Sequence, residues 1–220
     1  MPNVDLILGA DPRRKRSVRT EPTQRRSTQR LDALLDAAAE IVDETGFERL
    51  TTQMVAERAG ASIGTVYRYF PDRVAVLHAL RERAIRRFRE RVADDLEGTE
   101  LATWWDVIDV ALDACAALYR DEPGFTVVHA GRRELAEGDI EPEFAHRMAK
   151  LIEAEFDLGA DAEELRFRLG VIIELADALI SRAFERDPAG DERYLSEAKR
   201  LVHDYLAEHL GEARAASSAA

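Results

Sequence analysis

Between Leu50 and Arg73 the chain places hydroxyls, an amide and guanidinium groups at short intervals: Thr51, Thr52 and Gln53, then Ser62, Thr65, Tyr67, Arg68, Tyr69 and Arg73. These side chains donate hydrogen bonds to phosphate oxygens or to base edges, and a run of them points to nucleic-acid contact. The same spacing also suits a plain amphipathic hairpin whose tyrosines pack on their own domain. No arrangement for covalent or metal chemistry competes. His78, His129, His146, His203 and His209 include no pair three or four residues apart, so no helix offers a two-histidine metal face. Gly-x-Ser-x-Gly, Walker and dinucleotide glycine patterns are missing from the sequence. Cys115 is the single cysteine, which excludes an internal disulfide and a multi-cysteine zinc site. Neither an enzyme nor a cofactor is indicated.

The elements that must carry these groups follow from caps and breakers. Thr51 or Thr52 can cap a first short helix, with Met54, Val55 and Ala59 on its apolar side. Gly60 then ends it, because a left-handed residue costs glycine little. Ser62 caps a second helix from Ile63 to about Tyr69, and Pro71 stops it. Two short helices joined by a glycine turn make a helix-turn-helix. Gly64, inside the second helix, is costly there, and its use would be to let another backbone come close.

Charge is divided along the chain. The formal net charge is −12, yet residues 1–92 carry +5 and the remainder −17. Only the first part would be attracted to a polyanion. Apolar residues make up 46% of the chain, and no apolar run approaches a membrane span. Val4 to Ala10 is too short for a signal peptide, and its basic residues follow instead of leading. A reducing cytoplasm is the expected home.

Residues 1–27 contain Pro2, Pro12, Pro22 and the basic cluster Arg13, Arg14, Lys15, Arg16, Arg19, Arg25 and Arg26. They are expected to form a disordered basic arm, serving solubility or following phosphates into a neighbouring groove. A first helix is expected from about Thr28 to Thr45, on Leu31, Leu34, Leu35, Ala38, Ile41 and Val42. A long helix should run from Arg73 to about Asp95, with Val74, Leu77, Leu80, Ala84, Ile85, Phe88 and Val92 inward. Arg81, Arg83, Arg86, Arg87, Arg89 and Arg91 crowd its other sides and are read as a solvated, ion-paired surface. Residues 102–119 are apolar nearly all round, as in an interior helix. Further helices are expected near 125–136, 142–156, 163–186 and 192–210, and residues 212–220 as a disordered tail.

The run Leu50-Thr51-Thr52, Val55-Ala56, Ala59-Gly60, Ser62, Gly64-Thr65-Val66-Tyr67-Arg68-Tyr69-Phe70, Asp72-Arg73 and Leu77 resembles the DNA-binding signature of the TetR family of transcriptional regulators. The resemblance covers residues 28–77, and departs from the family where lysine is common and Arg73 stands. It implies an all-α fold, with an N-terminal three-helix DNA-binding domain at 28–73 and a helical ligand-binding and dimerisation domain at 74–211, entered through a linking helix at 74–95. By the same resemblance Thr51, Thr52 and Gln53 open the first reading helix. Ser62, Ile63, Gly64 and Thr65 open the recognition helix, nearest the bases. Tyr67, Tyr69 and Arg73 match backbone-contact positions, and Arg68 would read guanine or hold phosphate.

The implied mechanism is a homodimeric repressor on a double-stranded DNA operator, released by a small, largely apolar effector, with no membrane involved. Candidate effector contacts are Trp104, Trp105, Ile108, Leu112 and Phe125, then Met148, Ile152 and Ile173, with Glu174 and Asp177 as polar contacts. All the apolar ones equally suit ordinary core. Dimerisation is expected through the last two helices, at Leu169, Ile172, Ala176, Leu179 and Ile180 on one and Leu201, Val202 and Tyr205 on the other. Two readings remain beside this one: a DNA-binding protein without an effector, and a helical small-molecule-binding or interaction protein without specific DNA binding.

Overall fold

Apolar residues recurring at helical spacing become nine α-helices among the described residues, with no strand element. The structure, a computed structural model, describes residues 2–9, 22–128, 140–159 and 161–210. The helices are α1 (Asp5–Leu8), α2 (Pro22–Thr45), α3 (Thr52–Arg58), α4 (Ile63–Tyr69), α5 (Arg73–Glu97), α6 (Trp104–Asp121), α7 (Ile140–Glu155), α8 (Ala162–Arg186) and α9 (Glu192–Leu210). Two 3-10 turns, Phe47–Arg49 and Phe125–Val128, interrupt the order.

The chain divides into two compact units. One, the head, comprises Asp11–Arg87 and Asp121–Glu137; the other, the body, comprises Met1–Ala10, Phe88–Arg120 and Gly138–Ala220. The boundary therefore falls inside α5, beyond the position 73/74 expected from sequence.

In the head, α2 packs on α3 and α3 on α4. Leu34, Ala38, Ile41, Leu50, Val55, Val66, Phe70, Leu77 and Leu80 are buried there. Each such aliphatic or aromatic side chain gains roughly 1.5–3 kcal/mol on leaving water. Arg83, on the α5 face expected to be solvated, is buried and holds α2, with its Nη1 on Asp36 at 2.6 Å and its Nη2 on the Leu35 carbonyl at 3.1 Å. Arg87 pairs with Glu122. Gly124 adopts φ +73°, and its N–H donates to Asp43 at 2.9 Å. A Cβ there would come within 2.8 Å of the Ala39 Cα, so the turn lies directly on α2.

In the body, α7 packs on α8 and α8 on α9. Their apolar stripes meet α6 in one core through Val107, Leu151, Ile152, Leu165, Leu169 and Val202. The first residues of the chain join it. Ile7 in α1 is fully buried in this core, with Val4 and Leu6 against it, and the Asn3 N–H donates to Glu155 at 3.0 Å. That corrects the expectation of a disordered arm from residue 1. An apolar Val-Asp-Leu-Ile-Leu segment buries enough surface to order itself, and the disorder expectation rested on the prolines and basic residues downstream. The cluster Arg13, Arg14, Lys15, Arg16 and Arg19 lies outside the described residues, as do residues 129–136 and the tail from 211.

Other differences are local. The first head helix starts at Pro22 instead of Thr28, since proline is favourable in a first helical turn. On α5, Leu77, Leu80, Ala84, Ile85 and Val92 are buried as expected, while Val74 is 39% exposed and Val76 is buried in its stead.

Candidate nucleic-acid interface

The hairpin of α3 and α4 is held by its own caps. The Thr51 hydroxyl accepts from the Met54 N–H at 3.1 Å, and the Ser62 hydroxyl accepts from the Thr65 N–H at 3.1 Å. Each such bond stabilises its helix by roughly 1 kcal/mol. Gly60 takes φ +58°, the left-handed turn that glycine adopts without strain. Val55 and Val66 are fully buried and pin the two helices to the head.

Two ties from α2 orient this hairpin. Arg58 on α3 meets Glu44 with Nη1 at 3.0 Å and Nη2 at 2.6 Å, and Glu40 at 3.1 Å. The Arg58 guanidinium accordingly holds the Glu44 carboxyl below its ordinary range. At the far end of α4, the Tyr69 hydroxyl lies 3.2 Å from the Ser27 hydroxyl. Neither partner on α2 was singled out from sequence, because the pairs are 14 to 42 residues apart and no periodicity links them.

The face that remains outward is unusual for a short helix. Ile63 and Tyr67 are 37% and 53% exposed, one turn apart, with Gly64 and Arg68 exposed beside them. An added Cβ at Gly64 would meet only the Ser62 Oγ, at 3.9 Å. Nothing among the described residues uses the close approach that the glycine permits. The Arg68 guanidinium lies over the Tyr69 ring, 5.3 Å from its centroid. Thr52 is half-exposed, and Gln53 is exposed with its amide on Glu57 at 2.8 Å.

The residues expected to contact DNA are thus gathered on the α3–α4 hairpin and, with Arg73, at the start of α5, but they do not stand alike. Thr51, Ser62 and Thr65 are engaged in capping, Tyr69 is half-buried against Ser27, and Arg73 donates to the Glu48 carbonyl at 2.6 Å. Gln53, Ile63, Gly64, Tyr67 and Arg68 present the outward surface.

The candidate effector residues are more scattered. Trp104, Ile108, Leu112, Met148 and Ile152 are buried in the body core. Trp105 and Ile173 are half-buried beside it, with Asp177 half-buried and Glu174 exposed on α8. Phe125 is buried in the other unit and does not join them. A cavity of about 330 Å3 opens between α6, α8 and α9, lined by Leu112, Ala116, Ile180 and Leu195 with Arg120 and Lys199 at its edge. Of the candidates only Leu112 borders it.

The expected dimer residues fall into two sets. Leu169, Ile172, Ala176, Ile180 and Val202 are buried within a single chain, and Leu179, Leu201 and Tyr205 are half-buried. The first set packs inside the body, and the second keeps part of its surface open. What α8 leaves outward is Phe167, 60% exposed, with Val171 half-exposed one turn on.

Among the described residues, no cluster of three or more His, Cys, Asp or Glu could hold a metal ion, and no helix is long and apolar enough to cross a membrane.

A family model described as bacterial regulatory proteins, tetR family, matches residues 34–80, and one described as tetracyclin repressor-like, C-terminal domain, matches residues 102–210. A solved TetR-family transcriptional regulator from Streptomyces coelicolor is 34% identical, with a TM-score of 0.68, covering 81% of this chain and 98% of that one. The HTH-type transcriptional repressor KstR of Rhodococcus jostii is 36% identical over 63 residues, or 29% of this chain and 30% of the relative. The fatty acid metabolism regulator protein of Bacillus subtilis is 31% identical over 64 residues, or 29% of this chain and 33% of the relative. The chain thus spans about a third of the length of these two curated relatives.

Proposed function

Since the chain belongs to the TetR family of transcriptional regulators, we propose that it is a sequence-specific DNA-binding repressor, released from its operator by a small, largely apolar molecule. The observation that carries the DNA-binding part is the outward face of α4. Ile63 and Tyr67 are exposed there around a glycine whose missing Cβ serves no contact among the described residues. The N-terminal residues of a recognition helix are those that lie nearest base edges, and Ile63, Gly64 and Thr65 hold that place. A homodimer sets two such helices roughly 34–36 Å apart, over a near-palindromic site. The exposed Phe167 on α8 supports pairing of the body with a second copy, through the face that the internal core leaves free.

Release follows if the effector binds one body conformation more tightly than the other; an indifferent ligand shifts nothing. The apolar lining of the body core, from Trp104 to Ile152, supports an apolar ligand. No catalytic role is assigned, and a DNA target places the protein in the cytoplasm.

The test is selection from a pool of random duplexes with the purified full chain at two salt concentrations. A near-palindrome whose affinity falls steeply with salt is expected. Recovery of no motif at either salt overturns the reading and leaves a helical ligand-binding or interaction protein.

A further inference from the structure

Where α5 faces α7 in the body, two arginines share one carboxylate. Arg89 Nη2 donates to Glu143 Oε2 at 3.3 Å, and Arg147, one turn along α7, donates to the other oxygen of the same group. The arginine side chains are only 17% and 19% exposed, whereas Glu143 is 51% exposed. The Nε atoms of both Arg89 and Arg147 are buried with no hydrogen-bond partner among the described residues. The cluster is therefore one positive charge in excess and two buried donors short.

Such a cluster is expensive as pure scaffold. A buried donor left unsatisfied costs roughly 1–3 kcal/mol, and an uncompensated buried charge costs more. Burial, together with the neighbouring Arg147, presses the Arg89 guanidinium toward a lower pKa against the pull of Glu143. Gly9, at the end of the segment that begins with α1, lies so close that a Cβ there would overlap the Arg147 guanidinium. That side of the site is closed by the backbone of this chain. The other side is apolar: the Phe88 and Phe144 rings, adjacent in sequence to Arg89 and Glu143, pack with centroids 5.0 Å apart against the body core.

We propose that Arg89 and Arg147 form the anion-binding end of the effector site, which takes an amphipathic acid, a carboxylate or phosphate on an apolar chain. Glu143 occupies the acid's place until the acid displaces it. The inference rests on reading the body as an effector-binding unit. Glu143 is the exchangeable partner because it is the exposed member of the three and can swing to water, while the guanidiniums cannot. A ligand acid restores two charge-assisted pairs and gives the buried Nε donors an acceptor, and its apolar chain follows Phe88 and Phe144 inward.

The experiment titrates the full chain with decanoate, decyl phosphate and decanol by calorimetry, in parallel with binding to the selected operator. At least one acid is expected to bind about tenfold more tightly than decanol, the scale of one charge-assisted hydrogen bond. Which acid binds better decides between a carboxylate and a phosphate. Arg147→Gln is expected to reduce both acids to the level of decanol. Glu143→Gln removes the competing carboxylate and is expected to tighten acid binding by about threefold or more, which a merely structural ion pair would not do. Thermal unfolding of both variants, run beside the titrations, establishes that each is folded at the titration temperature before its binding is read. Equal binding of acid and alcohol, or weaker acid binding by Glu143→Gln, overturns the proposal. Operator binding retained alongside that result leaves the regulator reading standing; acid binding without any operator removes the regulator reading alone.

Discussion

At Gly64 an added Cβ would approach no side chain nearer than the Ser62 Oγ at 3.9 Å, while glycine inside a helix costs about 0.5–1 kcal/mol relative to alanine. Gly64→Ala is therefore expected to raise unfolding free energy by about that amount. The same change is expected to weaken operator binding about tenfold or more, because the new methyl stands on the face proposed to approach DNA. Urea unfolding and fluorescence anisotropy on one preparation read the two opposite signs; loss of both together would show an internal role instead. Tyr67 makes the companion case. Its ring is 53% exposed, so Tyr67→Ala should leave stability within about 0.5 kcal/mol. Operator affinity should fall with little change in the rank order of sites if the phenol holds phosphate, and with altered preference if it reads a base. These two positions were readable from residue types alone. The half-burial of Tyr69 against Ser27 and the use of Arg73 on a backbone carbonyl were not, since both partners lie tens of residues away.

Helices α3, α4 and α9 begin where caps and breakers put them, because Thr51, Ser62 and the Asp187–Gly190 turn act on their immediate neighbours. Faces were harder. On α5, Val74 and Val76 both fit an apolar stripe through Leu77 and Leu80, and only tertiary packing put Val76 inward. Arg83 is the clearest miss: one arginine among six became a buried strut because Asp36 and the Leu35 carbonyl faced it. The turn at Gly124 is equally a matter of approach. Gly124→Ala sets a Cβ 2.8 Å from the Ala39 Cα on a backbone at φ +73°, and is expected to destabilise the protein by about 2 kcal/mol or more, read by thermal unfolding. Between α5 and α7, hydrogen bonding to Arg147 outweighs burial and holds the Glu143 carboxyl below its ordinary 4.5. A carboxyl depressed in the folded state contributes stability above its unfolded value, and loses it as pH falls through the folded one. Wild type and Glu143→Gln should therefore differ least in stability well below pH 4.5, and the difference should grow as pH rises past it. A constant difference across that range would show that Glu143 does not titrate with folding.

For the molecule as a whole, the dimer is where sequence and structure part. Phe167→Asp places a charge on the most exposed large apolar side chain of the body, 60% open in the single chain. It is expected to yield a folded monomer by light scattering, with operator affinity reduced about a hundredfold as the second recognition helix loses its tether. A Phe167→Asp protein that remains dimeric would move the interface elsewhere. Leu169, Ile172 and Val202 would have been the obvious choices from periodicity, yet substituting them would unfold the chain instead of separating copies. The sequence by itself determined most of the helices, the helix-turn-helix hairpin, the cationic start and acidic remainder, and membership in a family. Caps, turn glycines and the 3.6-residue period act within a few residues and so are written in order. Only the tertiary structure decided which apolar stripe is spent inside one chain, that Ile7 belongs to the body and Phe125 to the head, and that Arg89 and Arg147 meet over one carboxylate. Those outcomes depend on which surfaces find each other across long stretches of chain, and a local pattern holds no record of its partner.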